Sequence, residues 1–147
     1  MTTSQLKEVI DMGNPVIWFE INGKDPTRLH DFYREVFGWT IDADNPMSYG
    51  FVQTGSDEGI QGAVATGQGS RGVTIYLGTD DVQGTLDRAV AAGAEVVMPV
   101  GGIPGVVELA QFRDPEGNWI GLSKDLRDPN DPEGTMQKVK NFTGEQS

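Results

Sequence analysis

The chain has 147 residues, with one histidine, His30, and no cysteine. Thiolate nucleophiles, disulfides and thiolate-zinc centres are therefore excluded. A single chain also cannot supply a site of two or three histidines. His30 alone does not assemble a Ser–His–acid set, and in the run RLHDFY it reads as a helix-surface residue beside an apolar stripe. Carboxylates are left as the carriers of proton chemistry. Glu20 is the sharpest of them, because it shares a predicted strand face with Trp18. Glu108, in VVELAQF, is a weaker candidate. A carboxylate in apolar surroundings can act as a general acid or base, or as the counter-charge of a basic ligand. The pair Asp80 and Asp81 reads instead as helix capping, and Asp114 with Glu116 as hairpin-turn chemistry. GQGSRG, residues 67–72, is not a phosphate loop: no GK[ST] follows and no helix opens after it.

Alternating and helical periodicities say which elements must position these groups. Residues 14–23 (NPVIWFEING) predict a strand, with Ile17, Phe19 and Ile21 on one face and Trp18, Glu20 and Asn22 on the other. Asp25 and Pro26 open a helix whose stripe is Leu29, Phe32, Tyr33, Val36 and Phe37, closed by Gly38. Short strands are predicted at 39–41, 47–54 and 60–66. The order then restarts. VTIYLGT, residues 73–79, alternates, placing Thr74 with Tyr76. Asp81 caps a helix striped by Val82, Leu86, Ala89, Val90 and Gly93, and strands follow at 95–100, 106–113 and 119–124. DPEGN, residues 114–118, is a turn in which Gly117 supplies a positive φ. Asp25-Pro26 and Asp81-Val82 lie 56 residues apart (81 − 25), so the chain reads as one unit of strand, helix and three strands used twice.

The expected organisation is a polar arm at 1–13, a first module at 14–66, a Gly-rich linker at 67–72, a second module at 73–124 and a polar tail at 125–147 with little core of its own. One helix per module leaves one sheet face to be covered by a partner sheet or to surround a ligand. A ferredoxin-like βαββαβ arrangement is the rival, with four or five strands against about eight. The net charge of −11 disfavours nucleic acid and anionic membrane surfaces, and tolerates or attracts a cationic ligand. No apolar run reaches membrane-spanning length, and the first residues lack a signal peptide's apolar stretch, so a cytoplasmic protein is expected.

Three stretches, VIWFEINGKDPTRLHDFYREVFGW, TIYLGTDDVQGTLDRAVAAGAEVV and FRDPEGNWIGL, resemble the vicinal oxygen chelate superfamily of glyoxalases, extradiol dioxygenases and bleomycin-resistance proteins. The resemblance spans residues 15 to 122. It implies an α+β fold of two tandem βαβββ modules whose curved mixed sheets enclose a pocket, commonly in a homodimer. It also implies a divalent metal held by His, Glu or Gln on the first and last strands of each module. The matching positions here are Trp18, Thr74, Gly121 and the neighbourhood of Gln61 to Ala63. An indole and a glycine cannot ligate, and threonine is a weak ligand, so the reading expects no metal and no cofactor.

The same alternation then fills the expected pocket with Trp18, Glu20, Thr74, Tyr76, Trp119, Gly121 and Ser123. Gln61 joins as a ligand-contacting residue. Tyr49 and Phe51 join if the register of 47–54 allows. Either Glu108 with Ala110, or Leu109 with Gln111, faces inward, since a slip of one residue exchanges them. Trp18 and Trp119 with Tyr or Phe rings make a flat apolar slot, and Gly121 is expected to open space opposite Trp18. The leading expectation is a metal-free protein that binds a small aromatic or cationic molecule, with drug or natural-product sequestration as its role. The alternative is a metal-independent isomerase, cyclase or lyase using Glu20 or Glu108. A metal-dependent lyase comes third.

Overall fold

The computed structural model describes residues 13–66 and 72–142. The expected arm, up to residue 12, and the linker, at 67–71, lie outside the described residues. The described chain runs β1 (Val16–Asn22), α1 (Pro26–Phe37), β2 (Thr40–Asp42), β3 (Gly50–Gln53), β4 (Gln61–Ala65), β5 (Gly72–Gly78), α2 (Val82–Ala91), β6 (Glu95–Ile103), β7 (Val107–Arg113), β8 (Trp119–Asp125) and α3 (Pro132–Asn141). The eight strands form one mixed sheet in the order β2-β3-β4-β1-β5-β8-β7-β6. Eight strands fit the tandem βαβββ reading and not the ferredoxin-like rival.

Within each module the first strand pairs in parallel with the last, β1 with β4 and β5 with β8. The modules join where β1 runs antiparallel to β5, with Glu20 opposite Thr74 and Trp18 opposite Tyr76. Helix starts follow the sequence. The Asp25 side chain accepts from the Arg28 N–H at 3.1 Å, and that of Asp81 from the Gly84 N–H at 2.9 Å. Such caps contribute about 0.5–2 kcal/mol each. Gly38 closes α1 at φ 68°, in the left-handed region that favours glycine.

Two cores lie between the sheet and its helices. In the first module Ile41, Val52 and Val64 pack with Phe19, Ile21, Leu29, Tyr33 and Trp39. In the second, Val82, Leu86, Ala110, Phe112 and Leu122 form an aliphatic cluster with one aromatic ring. Even positions of β1 (Trp18, Glu20, Asn22) are thereby left on the face away from α1, as alternation requires. His30 corrects its sequence reading. It is buried under α1, and its Nε2 donates to the Val64 carbonyl at 2.8 Å. Gly50 makes that contact feasible, because any Cβ there would strike the His30 ring and the Val64 carbonyl.

The C-terminal tail also corrects its reading. Asp131 caps α3 by accepting from the Gly134 N–H at 2.9 Å, and Val139 is buried at 2% exposure. Lys140 pairs with Asp44 in the β2–β3 connection at 4.0 Å, while Lys138 lies over Gly105 in the β6–β7 turn. Strand directions place these two loops at diagonally opposite corners of the sheet. A flat sheet of this order would separate its edge strands by about 34 Å. A ten-residue helix is about 15 Å long. The sheet must therefore curl until the two corners meet α3, and the face carrying Glu20 is its concave side, since α1 and α2 occupy the other.

Candidate functional site

The concave face is organised by a hydrogen-bonded chain. The Trp18 indole N–H donates to the Tyr49 hydroxyl at 3.0 Å, and the Tyr49 hydroxyl donates to Glu20 Oε2 at 2.8 Å. Within the second module the Gln111 amide donates to the Tyr76 hydroxyl at 2.6 Å. Desolvation, then the Glu20 charge, push the Tyr49 phenol well above its ordinary value, and the same two causes in the same order raise Tyr76. Both phenols therefore stay protonated and act as donors beside a carboxylate that is only 9% exposed.

Tyr49 owes its position to a residue that pattern reading missed. The Asn45 side chain accepts from the Tyr49 N–H at 2.9 Å and donates to the Tyr49 carbonyl at 2.8 Å. This clamp sets the entry to β3, so that Tyr49 and Phe51 both face inward. Phe51 stands opposite Ala63 in the ladder. Its ring meets Trp18 edge-on at 6.3 Å and Tyr49 at 5.0 Å. The only sequence signal for the clamp was turn chemistry in DNPMS, which says nothing about its target.

The structure brings Trp18, Glu20, Tyr49, Phe51, Thr74, Tyr76, Gly121 and Ser123 onto one face. Gln61 lies on this face opposite Trp18, but it is exposed at the start of β4. Trp119 shares this face with Gly121 by strand parity, and at the start of β8 its ring partner is Arg113, whose guanidinium lies 5.1 Å from the ring centroid. The open register is resolved in favour of Leu109 and Gln111. Glu108 shares the helix side with Ala110 and Phe112, which pack under α2, so it does not stand beside Glu20. Gly121 opens no space either. The Tyr76 ring covers it so closely that a Cβ would clash with the ring carbons.

The metal implied by the resemblance does not fit these residues. Trp18 offers only a donor, already committed to Tyr49. Tyr76 lies on Gly121, Thr74 is wholly enclosed and Gln61 stands in solvent. Among the described residues no group of three or more His, Cys, Asp or Glu could hold an ion. Two buried oxygens beside Glu20, Asn22 Oδ1 and Thr74 Oγ1, have no hydrogen-bond partner among the described residues.

Two βαβββ units joined edge to edge through β1 and β5 make up the sheet. The glyoxalase-like domain family matches residues 18–122, and this chain belongs to it. A curated relative, the anthracycline biosynthesis protein DnrV of Streptomyces peucetius, is 30% identical over 118 residues, covering 68% of this chain and 43% of the relative. The chain thus spans less than half of that relative's length. Among solved structures, a glyoxalase/bleomycin resistance protein/dioxygenase superfamily member from Vibrio splendidus 12B01 is 16% identical. It superposes with a TM-score of 0.55 over 77% of this chain and 99% of its own. A Streptomyces coelicolor methylmalonyl-CoA epimerase variant in complex with 2-nitronate-propionyl-CoA is 16% identical, with a TM-score of 0.52 over 76% of this chain and 94% of its own. At these identities the likeness is one of fold. No helix among the described residues is long and apolar enough to cross a membrane.

Proposed function

We propose that this domain binds a flat aromatic small molecule on its concave face without a metal ion. The observation that carries the reading is the chain Trp18–Tyr49–Glu20, built where relatives of this fold are expected to place a metal ligand. The indole is pinned by its N–H, and Phe51 meets both neighbouring rings edge-on. The rings therefore line a corner. Each aromatic contact adds roughly 0.5–1.5 kcal/mol beyond area burial. The net charge of −11 suits a ligand that is neutral or positive. The relative named for anthracycline biosynthesis supports a polycyclic aromatic ligand.

Titration with 9-anthracenemethanol, followed by quenching of tryptophan fluorescence, tests the reading. Saturable binding that is lost in Trp18→Ala and unchanged by EDTA supports it. No saturable binding, or binding abolished by EDTA, overturns it.

A second reading rests on Glu20 itself. A buried carboxylate flanked by two protonated phenols is equipped to move a proton within a bound substrate, as in a metal-independent isomerase or lyase. Glu20→Gln separates the two readings. A binding protein keeps its affinity for a neutral aromatic, whereas an enzyme keeps affinity and loses turnover by about two or more orders of magnitude.

A further inference from the structure

The outer shoulder of α1 is apolar where an exposed helix is usually polar. Phe32 is 49% exposed and Val36 55%. The first core takes Leu29 and Tyr33 from this helix, and His30 is buried beneath it, so Phe32 and Val36 are left outside. At 3.6 residues per turn, Arg28, Phe32, Glu35 and Val36 form one stripe. Arg34 lies roughly half a turn round the helix from both Phe32 and Val36. Its guanidinium donates to the Ile41 carbonyl of β2 at 2.6 Å. The stripe therefore leans away from the edge strand β2 and towards the middle of the sheet. There the helix-side row of β1 and β5 is also uncovered, with Ile17 37% and Val73 63% exposed. A large exposed apolar face bordered by charges marks an interaction surface.

The charges on α1 indicate what fits. A net charge of −11 makes most of the surface repel a second copy of the chain. Between residues 24 and 35, however, Lys24, Arg28 and Arg34 balance Asp25, Asp31 and Glu35. Asp31 pairs with Arg34 at 3.4 Å. Among the described residues, Arg28 and Glu35 have no ion-pair partner. At 1.5 Å per residue, Arg28 lies about 6 Å before Phe32 along the axis and Glu35 about 4.5 Å after it. A copy of α1 crossing antiparallel at Phe32 therefore brings its Glu35 level with Arg28 and its Arg28 level with Glu35. That one crossing covers both phenyl rings and pairs all four charges.

We propose that two copies of this chain associate through α1, antiparallel across a two-fold axis at Phe32. Each copy contributes the same stripe, as an isologous interface requires. Apolar contact at Phe32 and Val36 supplies the affinity. The exposed Arg28–Glu35 pairs fix register and direction more than they add strength. The row at Ile17 and Val73 extends the contact towards the roughly 800 Å² per partner of a standard interface. The stripe lies on the opposite side of the sheet from Glu20, so the proposal is independent of what the concave face binds.

Sedimentation velocity over about 1–100 μM chain tests it, with far-UV circular dichroism to confirm that each variant is folded. The wild-type chain is expected to dimerise. Arg28→Glu and Glu35→Arg should each weaken the dimer by about tenfold or more, since each sets two pairs of like charges face to face. An equimolar mixture of these two variants should associate again, and so should the doubly reversed chain. Phe32→Ala should leave monomers, whereas Val90→Glu, an exposed apolar position on α2, should change nothing. A wild-type monomer throughout the range overturns the proposal and leaves the face to another occupant. A dimer unaffected by either reversal, or one that the double reversal does not restore, overturns the antiparallel α1 pairing.

Discussion

The two modules repeat one order of elements but use their faces differently. On the helix side the first module is aromatic and half open. Tyr33 stacks on Trp39 at 5.0 Å with an 11° tilt, Phe19 and Phe37 flank that pair, and Phe32 and Phe37 are 49% and 58% exposed. The second module packs an aliphatic cluster closed by Val82 and Leu86, at 0% and 3% exposure. On the concave side the first module holds Trp18 and Tyr49 by hydrogen bonds, with Phe51 edge-on to both. The second lays Tyr76 flat on Gly121 and anchors it through Gln111. The larger buried cluster thus lies in the second module and the more exposed aromatic surface in the first. Packing density and an open aromatic corner compete for the same apolar residues.

Four measurements would sharpen or break this contrast. The largest expected effect is Leu86→Ala, which empties a buried site in the second core and should cost about 2–5 kcal/mol in denaturant unfolding. Phe37→Ala, on the exposed side of α1, should stay within about 0.5–1 kcal/mol. Comparable losses would show that the modules share stability evenly.

Next is Gly121→Ala. Its Cβ collides with the Tyr76 ring, so a loss of about 1–3 kcal/mol is expected. The loss should shrink in a Tyr76→Ala background, and a double-mutant cycle without coupling would show that Tyr76 is not what excludes a side chain there.

Alkaline pH tests the phenols. An unfolded tyrosine ionises near pH 10, whereas folded Tyr49 and Tyr76 are held above that. The unfolded chain then binds fewer protons than the folded one. Stability is full below pH 10 and should fall above it by up to ~1.4 kcal/mol per pH unit for each phenol, until the folded groups ionise. Tyr49→Phe should lower that slope by one phenol's share. An unchanged slope would place the Tyr49 hydroxyl in water.

The smallest expected effect in free energy is chelation. Prolonged EDTA treatment should leave the melting temperature unchanged, and elemental analysis should find far less than one equivalent of Ni, Zn or Fe per chain. A bound equivalent would overturn the metal-free reading of the concave face.

Much of the architecture was legible from residues close together in the chain. The Asp25 and Asp81 caps, Gly38, the turn at Asp114–Asn118 and the alternation of β1 and β5 are local, and each appears where its chemistry predicts. Misreadings fell where the outcome depends on a distant partner. His30 looked like a surface residue because the Val64 carbonyl that accepts its hydrogen bond is 34 positions away. Gly121 looked like open space because the ring that fills it comes from β5. Glu108 and Gln111 differ only in strand parity, which the β7–β8 ladder fixes and composition cannot. Val139 is buried although the polar residues around it made α3 look like a tail without a core.

By itself, then, the amino-acid sequence determined the repeated βαβββ order, the caps and turns, and which side chains share a strand face. These follow from backbone sterics and periodicity within a few residues. Only the tertiary structure decided that Tyr49 reaches Glu20, that Tyr76 closes over Gly121, and that Asn22 and Thr74 are left with unpaired oxygens beside a carboxylate. Hydrogen bonds and packing across strands depend on register and curvature, and both are set by the whole sheet at once.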